Sequence, residues 1–93
     1  KLEGDWEGGA NFYCQDAPSW FDLAMNIKGK KITGSGSYGL TISGKVEGET
    51  DITGSIFSGL GTARFKGSLS SGKLTGNFTD SEGCRGDFEL GRN

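Results

Sequence analysis

The chain has 93 residues, 18 of them glycine and one proline, with ten basic and twelve acidic side chains and no histidine. That length makes a single domain over 1–93, and a net charge of −2 excludes the basic excess of a generic nucleic-acid binder. No apolar run approaches the ~20 residues of a membrane helix, so no transmembrane segment is expected, and a lone proline excludes a Pro-Gly linker or a collagen-like chain.

Leu, Ile, Val and Phe are sparse, near the composition at which chains stay disordered. The low net charge and a strong period-two pattern argue instead for a folded chain. In chain order the alternation predicts eight strands, at 5–14, 21–28, 31–37, 40–47, 51–57, 62–69, 73–79 and 83–90. Gly-, Ser- and Asp-rich connections separate them: KGKK at 28–31, SYG at 37–39, EGET at 47–50, SGLG at 58–61, SSGK at 70–73 and DSEG at 80–83. The longest connection is QDAPSW at 15–20, with room for one helical turn. Most strands centre on a glycine, as in ITGSG, ISGKV, ITGSI, FKGSL, LTGNF and CRGDF, at a spacing near ten residues. The expected fold is all-β: one small, eight-stranded, antiparallel up-and-down β-barrel.

Parity assigns the faces. Trp6, Ala10, Phe12, Phe21, Leu23, Met25, Ile27, Ile32, Leu40, Ile42, Val46, Ile52, Ile56, Ala63, Phe65, Leu69, Leu74, Phe78, Phe88 and Leu90 share the inner face with Gly8, Gly34, Gly44, Gly54, Gly67, Gly76 and Gly86. Asp5, Glu7, Asn26, Thr33, Ser35, Thr41, Ser43, Thr53, Ser55, Lys66, Ser68, Thr75, Asn77, Arg85, Asp87 and Glu89 face outward. Glycine at mid-strand on the inner face permits the sharp coiling that closure of a small sheet needs. It also lets aromatic rings alternate with absent side chains.

The two cysteines, Cys14 and Cys84, lie far apart, and without histidine they leave too few soft ligands for zinc. In an up-and-down barrel the end of the first strand and the start of the eighth meet, so a Cys14–Cys84 disulfide would close the seam. It would close a loop of about 70 residues, worth ~4 kcal/mol by chain entropy. The alternative is two buried free thiols in a cytosolic protein; an oxidising compartment suits the bridge.

Other motifs are weak. DSEG at 80–83 offers oxygens to calcium but lacks the ligand count of a site. Arg85-Gly86-Asp87 spells an integrin-type tripeptide, yet parity places it within a strand. Asn77-Phe78-Thr79 is a glycosylation sequon with an outward Asn77. No histidine means no ordinary nucleophile–base pair, and the carboxylates scatter, so no enzyme, cofactor or metal is expected.

Trp6, Gly8 and Cys14, then Cys84, Gly86 and Phe88 with Arg92 behind them, resemble the small secreted or periplasmic proteobacterial domains that open W-x-G and end C-x-G-x-[FW]. The resemblance spans most of the chain and implies a secreted or periplasmic setting without a settled activity. More distantly, the layout is similar to avidin-like and lipocalin-like (calycin) barrels. Those hold ligands through polar groups on the inner face, which here offers almost none.

The meander sorts residues between two ends. The end where the second, fourth, sixth and eighth strands finish, end B, carries Lys28, Lys30, Lys31, Glu47, Glu49, Asp51 and Lys73, an ordinary solvated rim. The other, end A, collects Tyr13, Trp20, Phe21, Tyr38, Phe57 and Leu60. These aromatics either form a contact surface or fold over the mouth, with Trp20 and Phe57 as core. The expected function is a non-enzymatic binding module engaging a protein partner or a small apolar ligand at end A. The alternatives are a structural or accessory domain of an envelope or multidomain assembly, and an enzyme inhibitor using the 15–20 loop. An internal cavity would favour a small ligand, a flat aromatic patch a protein, and a filled barrel without a patch the structural role.

Overall fold

The computed structural model describes residues 2–13, 20–59 and 61–92. Eight strands form, β1 (Gly4–Tyr13), β2 (Trp20–Lys28), β3 (Lys31–Gly36), β4 (Thr41–Glu47), β5 (Asp51–Ser58), β6 (Gly61–Ser70), β7 (Lys73–Asp80) and β8 (Arg85–Arg92). They pair antiparallel in sequence order, and β8 returns to β1 to close the barrel. The SYG segment forms a short 3₁₀ turn between β3 and β4, with Tyr38 at φ 62°. Cys14 and the 15–19 part of the long connection lie outside the described residues, as does Leu60, so the expected disulfide and the single helical turn are not among the features described.

Every side chain assigned to the apolar core by alternation is buried or packs half-buried against the core. One core residue was not foreseen: Leu2, which precedes β1 and is buried at end B. Most outward positions carry hydroxyl, amide and charged side chains, with Trp20 and Phe57 the large apolar exceptions among the described residues. No helix among the described residues is long and apolar enough to cross a membrane.

The inner-face glycines are required by contact. At Gly44 and Gly54, paired directly across β4 and β5, a methyl group would meet the neighbouring strand's carbonyl oxygen and the ring of Phe65. The pair Gly67 and Gly76 does the same for the ring of Phe88. The two phenylalanines then meet edge to face, 6.0 Å between centroids. The expected alternation of absent and bulky side chains is thus realised as rings laid across glycine pairs.

Candidate functional site

The two ends of the barrel differ. At end B the Trp6 indole N–H donates to the Leu2 carbonyl at 2.9 Å, with Trp6 and Leu2 both buried. Arg92 stands opposite Trp6 across the β1–β8 seam and stacks its guanidinium 4.4 Å from the indole ring centre. The same guanidinium donates to the Glu3 carbonyl at 2.7 Å, while the Glu3 carboxylate accepts the Gly29 N–H at the β2–β3 turn. The segment before β1 is thereby tied across this end.

End A holds an apolar cup of about 460 Å³. Its floor is aromatic: Phe12 stacks on Phe78 at 5.7 Å, and Phe21 meets both edge-on at 6.5 and 6.1 Å. Leu40, Ile56 and Ala63 form the wall, with Tyr38, Ser58, Thr62 and Asp80 at the rim. Ser58, Gly59, Gly61, Thr62 and Ala63 flank the β5–β6 turn; Leu60, between the two glycines, lies outside the described residues. The volume lies within the ~300–1,000 Å³ range of small-molecule sites, and the lining has their apolar-with-few-polar character.

The aromatic residues expected to act together at end A are separated by the faces they occupy. Phe21 lies in the cup floor and Tyr38, 71% exposed, at its rim. Tyr13 and Trp20, 59% and 54% exposed, stand on the outer wall of β1 and β2. Phe57, 43% exposed, faces outward on β5, three strands from β2 and four from β1 around the ring. Trp20 and Phe57 therefore do not cap the mouth. A barrel end has an inside and an outside, and grouping by end alone mixed them.

On the outer wall, Trp20 pairs with Asn11 and rests its indole where a side chain on Gly9 would be. Next to it the Tyr13 hydroxyl donates to Asp87 at 3.1 Å, and the Asn11 amide donates to the other oxygen of Asp87 at 3.4 Å. The hydrogen bond to Asp87 holds the Tyr13 phenol above its ordinary 10.0. Asp87 is thus engaged, and Gly86 beside it is buried inside β8, so the Arg85-Gly86-Asp87 string is a piece of strand wall.

Comparison with protein-family models, curated proteins and solved structures gives no match. The geometry of the cup must speak for itself.

One rim residue was missed by the sequence reading, which ended the seventh strand at 79. β7 runs to Asp80, and the alternation Leu74, Gly76, Phe78, Asp80 carries a carboxylate onto the inner face, opposite the cup residue Ala63. The DSEG turn behaves as a turn. Asp80 Oδ1 accepts the Glu82 N–H at 2.8 Å and the Cys84 N–H at 2.9 Å, a side-chain-capped reversal. Among the described residues no group of three or more His, Cys, Asp or Glu is arranged to hold a metal ion.

Proposed function

We propose that this chain is a non-enzymatic binding module of a secreted or periplasmic setting whose cup at end A takes a small apolar ligand. The observation that carries this is the asymmetry of the barrel. End B is tied shut by Leu2, Trp6 and Arg92, while end A opens onto a floor of Phe12, Phe21 and Phe78. Apolar surface that faces solvent in a concave site is stabilised when a ligand displaces the water from it.

Within this reading a Cys14–Cys84 disulfide pins the seam beside the cup. Its support is that the β1–β8 pairing runs up to Tyr13 opposite Arg85, the residues next in sequence to the two cysteines. No free cysteine stands among the described residues. An oxidised pair fits the extracytoplasmic setting that the W-x-G and C-x-G-x-F motifs imply.

Calorimetric titration with octan-1-ol tests the cup, using wild type and Ala63→Trp. The indole would project from an inward, half-buried position into the open mouth. Saturable binding by wild type, lost in the variant while its thermal unfolding is unchanged, is the expected result. Absence of binding by wild type, or binding indifferent to the indole, would overturn the reading.

A second reading, a macromolecular partner, is favoured by the exposed Tyr13 and Trp20 side by side on the outer wall. Paired Tyr13→Ser and Trp20→Ser changes would abolish capture of such a partner without altering octanol binding, which separates the two readings.

A further inference from the structure

The cup's polar rim points to the class of ligand it selects. Asp80 is the one charged side chain among the cup's described lining. No Lys or Arg lines it: Arg64 and Arg85 belong to the outward set of their strands, offset by one from inward Ala63 and Gly86. An anionic head placed at this mouth would face a carboxylate with no described cation in the lining to offset it.

The carboxylate is also held in place. Its Oδ1 accepts the Glu82 and Cys84 N–H groups of the β7–β8 turn. Its Oδ2 takes no hydrogen bond from the described residues. A fixed acceptor loses little freedom when it binds a donor. Beneath it lie Phe12, Phe21 and Phe78, with Tyr38 beside the mouth, and aromatic rings attract a nearby cation through their quadrupole.

We propose that the cup selects an apolar molecule bearing an ammonium head, its hydrocarbon body against Phe12, Phe21 and Phe78 and its cation against Asp80 at the mouth. This rests on the reading of the cup as a ligand site. The head is recognised by charge, and the body by burial, so affinity requires both parts in one molecule.

Three eight-carbon probes that differ only in the head separate the possibilities: octylammonium, octan-1-ol and octanoate, each titrated calorimetrically at pH 7 into the oxidised chain. Asp80→Asn is the companion variant, because the amide oxygen can still accept the two turn N–H groups while the charge is gone. The expected order is octylammonium tighter than octan-1-ol by about tenfold, and octanoate weakest. In Asp80→Asn the preference for octylammonium over octan-1-ol disappears. If octan-1-ol equals or exceeds octylammonium in wild type, or the preference survives in Asp80→Asn, the ammonium inference falls and the apolar cup stands. If none of the three binds wild type, the cup reading falls and this inference with it. The wild-type order decides even if the variant unfolds.

Discussion

Adding one methyl group at Gly86 puts the coiling of the barrel to a direct test. A Cβ there would come closer than 3.0 Å to the Asn11 carbonyl oxygen of β1 and to the ring of Phe78 on β7. Gly86 pairs with Phe12 on one side and Phe78 on the other, so the methyl wedges into the seam and the cup floor together. Phe78 can yield by a rotamer shift, but the backbone oxygen can move only if β1 and β8 separate. Overpacking of this kind costs ~1–3 kcal/mol, and a weakened seam hydrogen bond adds ~1 kcal/mol. Gly86→Ala should therefore lose ~2–4 kcal/mol, a large part of the ~5–15 kcal/mol typical of a domain. In a chain of this size that lowers Tm by roughly 10–25 °C. Gly91→Ala is the matched control. It lies in the same strand, meets nothing within 4 Å and has no positive φ. It should be neutral or stabilising by ~0.4–1 kcal/mol, through the unfolded chain. Urea and thermal unfolding followed by circular dichroism would measure both. A Gly86→Ala protein within ~0.5 kcal/mol of wild type, or a Gly91→Ala protein equally damaged, would refute the close-approach account of the inner glycines.

At end B, Arg92→Met should cost ~1–2 kcal/mol in urea unfolding, through loss of the Trp6 stack and the bond to the Glu3 carbonyl. Lys73→Met, which breaks only an exposed pair with Glu89, should cost less than ~0.5 kcal/mol. In a Tyr38→Phe background, tyrosinate absorbance should show Tyr13 titrating above 10.0, and Asp87→Asn should bring it down. The sign follows from a raised folded-state pKa: the stabilising contribution is present below pH 10.0 and is lost as pH rises through the folded value. Reduction of the proposed Cys14–Cys84 bridge should lower stability by ~4 kcal/mol, and intact mass should show both thiols oxidised. A reduced mass for the native chain would remove the bridge from the account.

Most of the wall was legible because period two is a rigid constraint. One face must be apolar, and a single-residue slip would turn Phe65 and Phe88 to solvent. The six glycine-centred strings therefore gave strands, register and inner face together. Leu2 was not legible, since a lone leucine ahead of the first strand has no partner in the alternation; its carbonyl accepts the Trp6 indole N–H. Asp80 was legible in principle. Continuing 74, 76, 78 by one step places it inside, but a turn-forming Asp-Ser-Glu-Gly string drew the strand boundary one residue short. Trp20 could also have been set outward, because Phe21 beside it takes the inner position. The cup itself is a property of three dimensions. It depends on how far Phe12, Phe21 and Phe78 fill the bore, which parity does not report.

The central claim is that end A is open and binds apolar molecules while end B is closed. Methyl nuclear magnetic resonance during an octan-1-ol titration tests it most directly. The account predicts saturable shifts at Leu40, Ile56 and Ala63 around the cup, with Leu2, Ile27 and Ile32 at the other end unmoved. No saturable shift at the cup residues, or equal shifts at both ends, would contradict it.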